Sequence, residues 1–65
     1  MSAETGGNGA VYFELRRIAQ QIRVAAIDGA TGVEVSVFGP ASASEADLKS
    51  LALRKLQRRL SQLDE

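Results

Sequence analysis

From Ala10 onward, apolar and polar positions alternate with a period of two. Val11, Phe13 and Leu15 fall on one side and Tyr12, Glu14 and Arg16 on the other, the pattern of a half-buried strand. A break over residues 17–20 precedes a second alternation, in which Ile22, Val24 and Ala26 oppose Arg23, Ala25 and Ile27. A third sets Val33, Val35 and Val37 against Glu34, Ser36 and Phe38. Gly39-Pro40 ends it, because proline has no N–H to give to a sheet ladder. Beyond Pro40 the period lengthens. Leu48, Ala52, Leu56, Leu60 and Leu63 form one stripe at helical spacing, widened by Leu53. Ser42 with Glu45, or Ser44 with Asp47, supplies a capping box for the start of that helix.

The segment DGATGV over residues 28–33 reads as a four-residue hairpin loop. Asp28 can accept hydrogen bonds from the turn backbone, and Gly32 sits where a left-handed residue is needed. Pairing Asp28 with Val33 sets Ala26 opposite Val35 and Val24 opposite Val37. In the first hairpin, pairing Leu15 with Ile22 sets Phe13 opposite Val24 and Val11 opposite Ala26. Both registers put the regular apolar positions on one face, the face a helix must cover. The expected fold is therefore α+β: a three-stranded antiparallel β-meander with one C-terminal α-helix packed on one face (βββα).

Size and composition narrow the setting. Sixty-five residues make one small domain, here expected over residues 10–65. Residues 1–9, small, polar and glycine-rich, are expected to be a disordered tail. A core this small is marginal and the chain has no cysteine to staple it, so association is the remaining means of strengthening the fold. No apolar run is long enough to span a bilayer. The first residues lack the basic-then-apolar plan of a signal peptide, so a cytoplasmic location without membrane attachment is expected.

Three segments, VYFELRRI (11–18), AIDGATGVEVSVFGPASASEADLK (26–49) and ALRKLQRRL (52–60), carry a resemblance. Together they resemble a family of short uncharacterised alphaproteobacterial proteins catalogued as a domain of unknown function. The resemblance covers roughly residues 10–60 and implies a bacterial cytoplasmic protein. It implies no activity, ligand or catalytic residue.

The residues themselves argue against an enzyme. Histidine is absent as well as cysteine, which removes the commonest general base and the usual zinc ligands; no catalytic, cofactor-binding or metal-binding residue is expected. Glu14 and Glu34 share the outward sheet face with Arg23, which the register sets across from Glu14; exposed cross-strand ion pairs are the plain reading of this set. GGNG at 6–9 follows no strand and opens no helix, so it is not a phosphate-binding loop. Ser42 and Ser44 are accounted for by capping.

Two surfaces remain. The outward sheet face carries Tyr12, Arg23, Ile27 and Phe38, with Arg23 across from Phe38, where it could stack on the ring. A single helix leaves this face without cover from the same chain, and an open apolar patch of that kind marks a contact surface. The back of the helix carries Leu51, Arg54, Lys55, Arg58 and Arg59, with no acid between Lys49 and Leu63. Those cations could meet phosphates or an acidic partner, but they are also what a solvated helix back contains. Eight cations against eight anions leave no net charge, whereas nucleic-acid-binding domains are usually clearly basic. Three-stranded DNA-binding sheets need a cationic outer face, and here Arg16 and Arg23 are balanced by Glu14 and Glu34. Double-stranded RNA domains need a helix before the sheet. The expected function is thus a small non-enzymatic protein-interaction module whose partner is another protein or, through the open sheet face, a second copy. Weak nucleic-acid binding through the helix back is the alternative.

Overall fold

The computed structural model describes residues 10–63; the tail expected over 1–9 lies outside the described residues. Strands β1 (Val11–Ile18), β2 (Gln21–Asp28) and β3 (Glu34–Pro40) precede helix α1 (Glu45–Leu63). The strands form one antiparallel sheet in the order β1-β2-β3, and the helix lies against β2 and β3. The βββα meander read from the alternating pattern is the fold.

The second hairpin has the expected register, with Val24 opposite Val37 and Ala26 opposite Val35. Its loop is built around Asp28. The Asp28 carboxylate accepts from the Thr31 N–H at 2.9 Å and the Thr31 hydroxyl at 2.7 Å. The Gly32 N–H donates to the Asp28 carbonyl, and Gly32 takes a φ of 78°. These bonds satisfy a carboxylate that is otherwise buried.

The first hairpin is two residues out of the expected register. Leu15 lies opposite Val24 rather than Ile22, and Phe13 opposite Ala26. The expected break at 17–20 shrinks to the turn Ala19-Gln20, closed by Ile18 opposite Gln21, so Arg17 and Ile18 belong to β1. A slip of two preserves the side each residue faces, which is why the fold survives the error.

The core is Ile22, Val24, Ala26, Leu48, Ala52 and Leu56. Burying a large aliphatic side chain of this kind is worth about 1.5–3 kcal/mol. Gly39 lets the helix approach: a Cβ there would lie 2.9 Å from Leu48 Cδ2. From Leu48 to Leu60 the helix advances about 18 Å. From Gly39 back to Val33 the sheet runs about 20 Å. Leu63 therefore overshoots the last apolar row and is 56% exposed, not part of the core stripe. Ser44, the second of the two capping candidates, caps the helix, its Oγ accepting from the Asp47 N–H at 3.2 Å.

The helix leaves β1 largely uncovered. Phe13 and Leu15, expected beneath it, are each 37% exposed. Two long polar side chains reach across: Arg17 bonds Glu45 at 2.6 Å, and Lys49 Nζ stands 5.9 Å from the Phe13 ring centroid.

Candidate interaction surface

The outer sheet face is made by residues that alternate with the core positions. Tyr12 and Ile18 come from β1, Arg23, Ala25 and Ile27 from β2, and Phe38 from β3. The helix lies on the other side, so this face has no cover among the described residues. Phe38 is 59% exposed, Ile18 and Tyr12 are also exposed, and Arg23 and Ile27 are half-buried. The four expected positions Tyr12, Arg23, Ile27 and Phe38 do share one face.

Within it, two contacts differ from those expected. Arg23 stands opposite Arg16 on β1, not Glu14, because of the two-residue slip. Its guanidinium instead reaches Glu34 Oε2 at 3.5 Å. Arg23 is across from Phe38 as expected, but the guanidinium is directed along β3 towards that carboxylate. The Arg23 and Glu34 side chains span the row of Ala25 and Ser36 that separates them, and Ala25, small and central in the sheet, is fully buried. The pair is partly exposed, so it contributes about 0.2–1 kcal/mol and serves mainly to hold Arg23 in place.

Along the helix, Leu51, Arg54, Lys55, Arg58 and Arg59 are all exposed, as their spacing predicts. Lys55 is engaged: its Nζ donates to the Ser36 carbonyl at 2.8 Å. No acid among the described residues lies within 4.0 Å of Arg54, Arg58 or Arg59.

The two surfaces meet. Val37 and Phe38 on β3 and Leu51, Arg54, Lys55 and Arg58 on α1 line one open cleft of about 460 Å3. Sequence reasoning treated the sheet face and the helix back as separate. The link is Phe38, on the edge strand that the helix lies beside; the strand order was expected, but not that the helix would lie over β2 and β3.

No helix among the described residues is long and apolar enough to cross a membrane. Neither a curated protein nor a solved structure matches the chain. A family model, the domain of unknown function DUF6898, matches residues 8–63 and so takes in the whole sheet and helix. The chain belongs to the DUF6898 family.

Proposed function

We propose that this chain is a small non-enzymatic protein-interaction module, acting in the bacterial cytoplasm, whose contact surface is the outer sheet face around Tyr12, Arg23, Ile27 and Phe38. The observation that carries the reading is Phe38, an aromatic 59% exposed on a sheet face the helix does not cover. Large aromatics left open beside a fixed arginine are typical anchors of protein contacts. The cleft extends this surface to Leu51 and the helix cations, so an apolar partner segment with an acidic flank suits it best.

Weak nucleic-acid binding through the helix back is the second reading. It is favoured by Phe38 lying in the same cleft as Arg54 and Arg58, a combination of ring and cations that single strands use. Zero net charge and the engagement of Lys55 by the sheet weigh against it.

Affinity capture from lysate, with and without nuclease, separates the two. A protein that survives nuclease, is lost with Phe38→Ser and is weakened but still captured with Arg54→Glu/Arg58→Glu is the expected result. Recovery of nuclease-sensitive nucleic acid, lost with the arginine changes and with added salt, would overturn it.

A further inference from the structure

The sheet has two edges, and they differ. At β3 the edge is obstructed. In the second hairpin the Asp28 N–H donates to the Val33 carbonyl, so by antiparallel alternation the even residues of β3 turn their backbone groups outward. Of these, Ser36 gives its carbonyl to Lys55 and Pro40 has no N–H. Both are devices that keep an edge from pairing.

The β1 edge has no such obstruction among the described residues. The Gly29 N–H donates to the Ala10 carbonyl, so even positions bond inward and Val11, Phe13, Leu15 and Arg17 present theirs outward. The strand runs eight residues without proline, and seven of them are exposed, including apolar side chains on both faces. A long, open strand of this kind is a template for another strand. The single inner-face charge, Arg17, is already neutralised by Glu45.

The sequence of β1 selects the partner. An antiparallel pairing of two copies centred on Leu15 sets Glu14 against Arg16 of the second copy, and Arg16 against its Glu14. Tyr12 then meets Ile18 and Phe13 meets Arg17, in both directions. The neighbouring registers fail, since they set Glu14 against Glu14 or Arg16 against Arg16. Within one chain these charges are poorly served. Arg16 faces Arg23, Glu14 faces Ala25, and neither has an ion-pair partner among the described residues. The outward-facing backbone groups of Phe13, Leu15 and Arg17 are the ones this register would bond.

We propose that two copies of this chain associate through β1 in the register centred on Leu15, forming a six-stranded antiparallel sheet with both helices on one face. Phe13 and Leu15 of the two copies become contiguous beneath the gap between the helices. On the opposite side, the Tyr12–Ile18 pairs join the two outer faces into one surface. This goes beyond the face-mediated contact proposed above and does not depend on it.

The test is sedimentation equilibrium on the full chain and its charge variants. Wild type is expected to dimerise, and Glu14→Arg and Arg16→Glu are each expected to weaken the dimer at least about tenfold, since each turns two attractive cross-strand pairs into repulsive ones. An equimolar mixture of the two variants should restore association, because arginine at position 14 in one copy then meets glutamate at position 16 in the other. Circular dichroism of each variant alone establishes that it is folded, and recovery in the mixture cannot arise from unfolding. A monomeric wild type, unaffected single variants, or a mixture that stays monomeric would overturn the proposal. So would a dimer abolished by Phe38→Ser but untouched by the β1 charges. A monomer that still captures a protein through Phe38 would refute edge pairing and leave the interaction module standing.

Discussion

Ala19 adopts a φ of 53°, in a region glycine enters freely and alanine does not. It occupies the tight turn between Ile18 and Gln21, where the twist of the flanking strands favours residues with positive φ. The left-handed conformation costs a non-glycine residue about 1–2 kcal/mol. Glycine would recover that but lose about 0.4–1 kcal/mol through its freer unfolded chain. Ala19→Gly should therefore stabilise the fold by about 0.5–1 kcal/mol. The urea midpoint should rise with an unchanged slope, and Gly32→Ala, at a φ of 78° with open space around its Cα, should lower it. A loss of stability from Ala19→Gly would show that the turn is not strained.

At the scale of elements, the start of α1 rests on one side chain. Ser44 accepts from Asp47, whereas Ser42 is an exposed residue of the preceding turn. Ser44→Ala should cost about 1 kcal/mol, and Ser42→Ala should stay within about 0.5 kcal/mol of wild type. Equal effects in thermal unfolding would refute this assignment of the cap. The two serines also show what could be read in advance. Both satisfy the capping pattern, and only the backbone decides between them. The second hairpin was legible because Asp28 and Gly32 are residues whose chemistry specifies a turn. The first was not, since Ile18, Ala19, Gln20 and Gln21 include none of the usual turn formers, and the register slid by two. The face of every strand residue survived, and with it the set Tyr12, Arg23, Ile27 and Phe38. Helical spacing identifies the buried stripe of α1, but it does not say which two strands lie beneath it. That choice exposes Phe13 and Leu15 and brings Phe38 beside Leu51.

For the molecule as a whole, the helix covers two strands of a three-stranded sheet. A chain of 65 residues has little apolar surface to spare, yet Phe13 and Leu15 stand partly in water on the inner face. Pairing through β1 would shield them and couple folding to concentration, because only the folded chain presents the edge. Above the dimer Kd, each tenfold rise in concentration adds about 1.4 kcal/mol per dimer, or about 0.7 kcal/mol per chain. For a domain of this size that corresponds to a rise in Tm of about 3–6 °C. Glu14→Arg alone should show this dependence only from a concentration at least about tenfold higher, and its mixture with Arg16→Glu should bring the onset back towards that of wild type. Calorimetry over a hundredfold range of concentration reads this directly. A Tm for wild type that does not move would mean that the helix and the two strands beneath it are sufficient by themselves, and that β1 does not pair with a second copy.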